Sequence, residues 1–343
     1  MRVRLKTVCA LGALAAAPTT AWGEPAKPAP DYAVVDRIAG ADGGWDYASL
    51  DTAGGRVYVA RSNAVMAIDI GTHKVTDALA PADGAHAVFA IDQGRTVVET
   101  DGHTGMTRFI DAATGKVEDE VATGTKPDAA VYEPVSGRIM VMSPGNSTVT
   151  LLDAATHKFI SRFTLPGGLE AAVADGKGDV FVNLEEQGAL AEIDAVKGEV
   201  VRVVPLPGCE GPTGIALVAH GTRTISACAN GVAVVVDTGA GQAVARLAID
   251  KGPDTVLADE TRHRAFIPCG GSGTLVEIAT DNPDAIRVTG RIATQVSART
   301  GAIDPRDGRI YLPAATLGQP APGAKRGKPI AGSFVVLVLA PQP

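Results

Sequence analysis

Histidine and carboxylate side chains have the strongest potential for chemistry in this chain, because both groups bind metals and transfer protons. The 343-residue sequence holds 6 His and 38 Asp and Glu. It contains no paired-His metal motif, no phosphate-binding glycine loop with Lys, no nucleophile elbow and no CxxC. A functional site must therefore be assembled by the fold from residues that are distant in the sequence.

Three cysteines follow the N-terminal segment: Cys209, Cys228 and Cys269. An oxidising compartment favours a disulfide, and an odd count leaves one thiol over. In the strand pattern described below, Cys209 and Cys228 fall at the same edge of one repeat, and Cys269 lies at the equivalent place one repeat later. The sequence therefore predicts a Cys209–Cys228 bridge, with free and unreactive thiols as the alternative, and it leaves the state of Cys269 open.

An aspartate recurs after a hydrophobic strand at steps of 41 to 43 residues. Its five copies are Asp69, Asp111, Asp153, Asp194 and Asp237. Asp hydrogen-bonds backbone groups in the turn that follows it. Five copies on one rim cannot all be catalytic, so we expect these carboxylates to be structural.

A second marker keeps nearly the same step. An apolar strand running into a polar turn ends at positions that are 41, 41, 42, 43, 41 and 45 residues apart: Asp51, Asp92, Glu133, Asp175, Val218, Asp259 and Asp304. Each unit reads as four short strands, and no segment shows a sustained helical period. Such a unit is typical of a β-propeller blade. The sequence predicts an all-β fold, a seven-bladed propeller with four-stranded antiparallel blades.

The two ends of the chain predict how the ring closes. The last unit ends after its third strand, Ser333 to Ala340, whereas Tyr32 to Gly40 precedes the first unit and matches a fourth strand. We expect this N-terminal strand to complete the last blade, which removes an exposed sheet edge. Residues 317–332, with three Pro, are expected to form a long loop within that blade.

Two histidines are candidate metal ligands. In a propeller, the loops between second and third strands and the loops between blades share one face, here called the loop face. His86 and His103 both fall in such loops of the second blade. The other histidines fall in tight turns of the opposite face, here called the turn face, where no chemistry is expected.

Superposing the repeats at the start of the first strand identifies a candidate ligand site. First strands line the central channel, so these residues should surround its mouth on the loop face. The channel mouth defined in this way combines four carboxylates and one guanidinium with an indole and an imidazole: Trp45, Asp46, His86, Asp128, Glu170, Asp254 and Arg299. Trp45 and Arg299 depart from the repeat, which favours a functional role. The alternative is that the acidic residues only cap turns.

Several stretches match one family of repeat proteins. They include "GGWDYASLD", "CEGPTGIAL", "KGPDTVLADE" and "SARTGAIDPRDGRIYLPAA". In these stretches the chain resembles the exported YVTN-repeat β-propellers of the YncE type, over nearly the whole length after residue 23. The resemblance implies a propeller and export. It implies no particular reaction, because the family has no common established one.

The first 23 residues are typical of a signal peptide. Arg2, Arg4 and Lys6 precede a short apolar run, and Ala21-Trp22-Gly23 offers small residues for cleavage. Loss of three basic residues takes the net charge from −7 to about −10. We expect a periplasmic or secreted protein with a single domain over residues 24–343.

These features predict a non-enzymatic binding or scaffold protein. It would recognise a small ligand, or a periplasmic or outer-membrane protein, at the loop face around the channel. The first alternative is a periplasmic hydrolase, or a metal- or cofactor-linked oxidoreductase, that uses the acidic mouth. Nucleic-acid binding is a second alternative, which the acidic charge disfavours. No cofactor is predicted, although a metal ion is compatible with the mouth, and we expect a monomer.

Overall fold

Seven four-stranded antiparallel sheets form a ring. The computed structural model describes residues 32–320 and 327–342, in which the only helical elements are four 3₁₀ segments. These are Asp92–Gly94, Pro144–Asn146, Glu185–Gln187 and Glu260–Arg262. The all-β prediction and the count of seven blades are confirmed.

The strands follow the repeat in chain order. The first is β1 (Tyr32–Ala39), which belongs to the last blade. Blades one to three contain β2 (Trp45–Asp51), β3 (Arg56–Arg61), β4 (Ala64–Asp69), β5 (Val75–Pro81), β6 (Ala85–Ile91), β7 (Thr96–Asp101), β8 (Met106–Asp111), β9 (Val117–Ala122), β10 (Ala130–Glu133), β11 (Arg138–Ser143), β12 (Thr148–Asp153) and β13 (Lys158–Thr164).

Blades four to seven continue the pattern. They contain β14 (Leu169–Ala174), β15 (Asp179–Leu184), β16 (Ala189–Asp194), β17 (Glu199–Pro205), β18 (Pro212–Val218), β19 (Arg223–Cys228), β20 (Val232–Asp237), β21 (Gln242–Ala248), β22 (Leu257–Asp259), β23 (Arg264–Cys269), β24 (Thr274–Ala279), β25 (Arg287–Ala293), β26 (Ala302–Ile303), β27 (Ile310–Ala314) and β28 (Val335–Pro341).

The core lies between the blades. Middle strands such as β12 and β20 are almost completely buried, because a neighbouring blade packs against each face of the sheet. The outermost strand β21 instead alternates exposed and half-buried residues. Val-rich runs therefore form the inner layers, and alternating sequences form the rim.

The recurring aspartates hold the turns that follow the third strands. The Oδ1 atom of Asp69 accepts hydrogen bonds from the backbone N–H groups of Gly71 at 3.1 Å and Thr72 at 2.8 Å. Equivalent bonds to turn N–H groups are accepted by Asp111, Asp153, Asp194 and Asp237. The structural interpretation of these residues is confirmed.

The N-terminal strand closes the ring. β1 pairs with β28 in antiparallel register from Tyr32 opposite Pro341 to Ala39 opposite Val335. The last sheet has the order β1-β28-β27-β26, as the sequence predicts. The ring therefore depends on a pairing between the two ends of the described chain.

Part of the predicted organisation lies outside the described residues. This holds for the signal peptide over residues 1–23 and for residues 321–326 of the Pro-rich loop. At the base of that loop, the N–H of Gly318 donates to the carbonyl of Lys328 at 2.8 Å, and the N–H of Ile330 donates to that of Thr316 at 2.8 Å. Within the described ranges, no helix is long and apolar enough to cross a membrane.

Cys209 and Cys228 form a disulfide in the fifth blade, with Cα atoms 5.5 Å apart. Cys209 lies in the loop before β18, and Cys228 ends β19. Cys269 ends β23 as a free, buried thiol, and burial raises its pKa to about 12. The free thiol is therefore protonated and inert at neutral pH.

Replacing Cys209 and Cys228 together by Ala should lower the free energy of unfolding by roughly 3 kcal/mol, because the bridge closes a loop of 19 residues. Urea unfolding of the oxidised protein and of the double variant measures the difference. The unsubstituted protein in dithiothreitol serves as the control and should unfold at the midpoint of the double variant. Equal midpoints with and without reductant, or three titratable thiols in unfolded, unreduced protein, would contradict the bridge.

Candidate functional site

An irregularity in the first strands turns the mouth residues toward the channel. In the first blade, Trp45 pairs with Arg61 and Ala48 with Val59, so that two residues lie opposite one. The same shift occurs after Ala85, Leu169 and Pro212 in blades two, four and five. β-Bulges of this kind re-aim side chains and are enriched next to functional sites. The fold thus repeats one device that presents Asp46, His86 and Glu170 at the channel.

One side of the mouth joins an imidazole to two carboxylates. The Nδ1 atom of His86 lies 2.6 Å from Oδ2 of Asp46 and 3.5 Å from Oδ1 of Asp128. The hydrogen bond to Asp46 raises the pKa of His86 to about 9. Burial, followed by the charge of Asp46, raises the pKa of Asp128 above its ordinary range. At neutral pH this side therefore holds a positively charged imidazole against the first carboxylate.

The opposite side is built around Arg299. Its Nε donates to Oδ2 of Asp254 at 2.6 Å, and its Nη2 donates to the carbonyl of Trp45 at 3.0 Å. The indole of Trp45 packs against Phe334, with ring centroids 5.5 Å apart, and only 7% of the residue is exposed. The sequence placed Trp45 among the residues that surround the mouth, but its indole is buried and offers no open surface there. The ring supports Arg299 from below instead, with the guanidinium carbon 5.7 Å from its centroid.

Glu170 and Tyr47 lie deeper in the mouth. Burial, followed by the charges of Asp128 and Asp254, raises the pKa of Glu170 to about 9. The hydroxyl of Tyr47 lies 3.5 Å from Oε2 of Glu170, although the two residues come from the first and fourth blades. Its side chain also packs against the apolar clusters between blades three and four and between blades four and five. Tyr47 therefore crosses the channel and forms the floor of the mouth.

Sequence reasoning missed Tyr47, although a signal was present. The equivalent positions of the other six repeats carry small or β-branched residues: Val88, Ala129, Ala171, Gly214, Thr255 and Thr300. Superposing the repeats one residue further along would have singled out the tyrosine.

The structure places His103 outside the group around His86. Its Nδ1 atom lies 3.0 Å from Oδ1 of Asp83, and its side chain is 72% exposed. Among the described residues, the group with ligand atoms close enough to share a metal ion is Asp46, His86 and Asp128. His103 is therefore not a member of this three-residue group, and a metal shared by His86 and His103 remains a prediction from the sequence.

The structure thus assembles a bowl with acidic walls and an aromatic floor. Asp46, Asp128, Glu170 and Asp254 supply four carboxyl groups, opposed by His86 and Arg299. Like charges gathered at a partly buried site resist ionisation unless a cation offsets them. Burial, together with this gathering of carboxyl groups, raises the pKa of Glu170.

The comparisons with known proteins concern the fold. No protein-family model matches the sequence, and no curated protein matches it. A solved structure of Kuenenia stuttgartiensis hydrazine synthase matches with a TM-score of 0.70 at 14% identity, covering 78% of this chain and 92% of that chain. The U3-55K structure matches with a TM-score of 0.72 at 9% identity, covering 90% and 98% of the two chains.

A third solved structure is similar to the same degree. The WD40 repeats of RRP9 match with a TM-score of 0.73 at 9% identity, covering 90% of this chain and 97% of that chain. Identities this low establish the shared propeller architecture and nothing about ligands or reactions. The function has to be inferred from the mouth itself.

Proposed function

We propose that this chain is a non-enzymatic binding propeller that recognises a cationic group at the channel mouth. The group would be carried by a small ligand or by a protein partner. The observation that carries the proposal is the bowl itself, in which carboxylates from several blades converge above the Tyr47 floor. A cation would relieve their mutual repulsion, and the aromatic floor limits access to the loop face.

Export and membership of the YVTN-repeat family are part of the proposal. Export is supported by the basic and apolar pattern of residues 1–23 and by the Cys209–Cys228 disulfide, which suits an oxidising compartment such as the periplasm. Family membership is supported by the matching repeat stretches and by the propeller fold. An exported location agrees with a role in binding a ligand outside the cytoplasm.

A polyamine tests the recognition of cations. Spermidine is expected to bind the mature protein at low ionic strength, because three positive charges can replace the missing counter-charge in the bowl. Glu170→Gln combined with Asp254→Asn removes two of the four carboxylates and should weaken this binding at least about tenfold, which isothermal titration calorimetry measures. Asn at position 254 can still accept the hydrogen bond from Arg299.

The matched control removes two carboxylates from the exposed outer strand β9. Glu118→Gln with Glu120→Gln removes the same number of carboxyl groups and should leave the spermidine affinity within about twofold. The affinity of the unsubstituted protein should also rise with pH toward the pKa of Glu170 of about 9, because the cation favours the ionised carboxylate. Glu170 shares the bowl with the following titratable and charged groups: Asp46, His86, Asp128, Glu185, Asp254, Arg299 and Tyr47. Equal affinities in both double variants would refute the site.

An enzyme is the second candidate, and the contact between His86 and Asp46 favours it. A carboxylate that orients an imidazole is a common arrangement for acid–base catalysis and for metal ligation. Turnover of an ester or a phosphoester that is lost on Asp46→Asn would favour the enzyme over the binding protein.

A further inference from the structure

We propose that Asp46, His86 and Asp128 form a site for a borderline divalent metal ion, with Zn²⁺ as its representative. The inference rests on the proposed function, since it names one cation that the mouth would take. The three residues come from blades one, two and three. Asp46 and Asp128 occupy equivalent positions of their repeats, and His86 lies one position earlier in the repeat between them.

The donor atoms are already close to a ligation geometry. One ligand atom from each residue lies within 4.8 Å of the other two. Metal–ligand bonds to nitrogen and oxygen of about 2.0–2.2 Å place the ligands of one ion about 3–3.5 Å apart. The Nδ1 atom of His86 lies 2.6 Å from Asp46 and 3.5 Å from Asp128, so it already faces both carboxylates. Small side-chain rotations suffice to admit an ion between them.

Two buried threonines hold the backbone on which the donors stand. The hydroxyl of Thr100 accepts from the N–H of Ala87 at 2.8 Å and donates to the carbonyl of Asp128 at 2.6 Å. The hydroxyl of Thr300 donates to the carbonyl of Asp46 at 2.7 Å. Both threonines are fully buried. These bonds fix the backbone positions from which the side chains of Asp46 and Asp128 project.

A glycine leaves room for the imidazole. A Cβ atom at Gly102 would lie 2.7 Å from both Cδ2 and Nε2 of His86, too close for any larger residue without displacing the ring. The site is also accessible, because the side chains of Asp46 and Asp128 are each 22% exposed and that of His86 is 36% exposed. The ring is therefore confined, while an ion can reach it from the loop face.

The donor set selects the class of ion. Imidazole suits Zn²⁺, Cu²⁺ and Ni²⁺, whereas Ca²⁺ and Mg²⁺ prefer oxygen ligands alone. Binding would displace the proton from the imidazole of His86, because a ligating imidazole is neutral, and the two carboxylates would then balance the charge of a divalent ion. Three protein ligands also leave a coordination position for water or for a bound ligand. A metal ion held here could directly contact the molecule that binds at the channel mouth.

The test is calorimetric titration of EDTA-treated protein with ZnCl₂, with equilibrium dialysis to measure stoichiometry. One ion per chain is expected, and His86→Ala should weaken binding at least about tenfold, as losing a ligand does. His103→Ala removes an exposed imidazole from the same face and is the matched control, expected to stay within about twofold of the unsubstituted protein. Asp128→Asn is the second variant, also expected to lose at least about tenfold, and Co²⁺ absorption reports whether nitrogen and oxygen ligands surround the ion.

Two results would overturn the inference. One is an unchanged zinc affinity in both His86→Ala and Asp128→Asn. The other is equal binding of Mg²⁺ and Zn²⁺, which would make the mouth a general trap for cations. If the protein binds spermidine but has no specific zinc site, only this inference is overturned. If it binds neither spermidine nor zinc, the proposed function is overturned as well. The Glu170→Gln and Asp254→Asn double variant keeps all three donors, so it should lose spermidine and retain zinc.

Discussion

Deletion of Tyr32–Ala39 should abolish cooperative folding of the ring. This strand buries Tyr32 and Ile38, which are 1% and 6% exposed, and covers the edge of β28. Burial of a large apolar side chain contributes about 1.5–3 kcal/mol, and the deletion also exposes Leu337 and Leu339. The loss of about 5–10 kcal/mol is comparable with the whole stability of a typical domain. Urea unfolding and size-exclusion chromatography measure the outcome, with a broad transition or aggregation expected.

A control and a rescue separate closure of the ring from general damage. Val35 lies on the same strand but is 54% exposed, so Val35→Asn should change the free energy of unfolding by less than about 0.5 kcal/mol. A synthetic peptide of residues 32–40, supplied to the deletion variant, should add to the open edge and restore a cooperative transition. A deletion variant that remains monomeric with unchanged stability would show that closure contributes nothing.

The fold was predictable because its repeat follows from burial. Middle strands covered on both faces need uninterrupted apolar residues, and each must be followed by a turn that satisfies its own backbone groups. The aspartates that supply those turns, such as Asp69 and Asp153, therefore mark five of the seven units. The missing fourth strand of the last unit was equally visible. These features are local, so no knowledge of distant contacts was needed.

Exact strand limits were less predictable than the fold. The sequence marker of the last blade ends its first strand at Asp304, but only Ala302 and Ile303 pair regularly with β27. The register shift between Leu151 and Leu152 in the third blade also had no marker, since both residues are common in regular strands. Such irregularities depend on the twist between neighbouring strands, which the sequence of one strand does not contain.

The positions of the mouth residues were predictable, but their pairing was not. Internal symmetry identified Asp46, His86 and Asp128 as neighbours of the channel. Side-chain rotamers decide which of these residues pair. His86 hydrogen-bonds to Asp46, and Arg299 hydrogen-bonds to Asp254. The burial of Trp45 was not predictable, because its packing partner, Phe334, comes from the other end of the sequence. Residues that differ from their equivalents in the other repeats therefore indicate where a site lies, but they do not indicate what each residue does there.

Replacing Tyr47 by Ala should cost about 4 kcal/mol of unfolding free energy, as truncation of a large aromatic packed between apolar clusters does. The ring packs against two clusters formed by blades three, four and five, so its loss would open the channel floor as well as loosen those contacts. Tyr47→Phe is the matched control: it keeps the ring, removes only the hydroxyl 3.5 Å from Glu170, and should cost less than about 1 kcal/mol. Urea unfolding of the three proteins measures both effects.

Water admitted through the open floor would also let Glu170 ionise more readily, since burial is the leading cause of its raised pKa. If neither Tyr47→Ala nor Tyr47→Phe changes the free energy of unfolding, the tyrosine does not stabilise the contacts between blades, and the channel is open beneath the carboxylates.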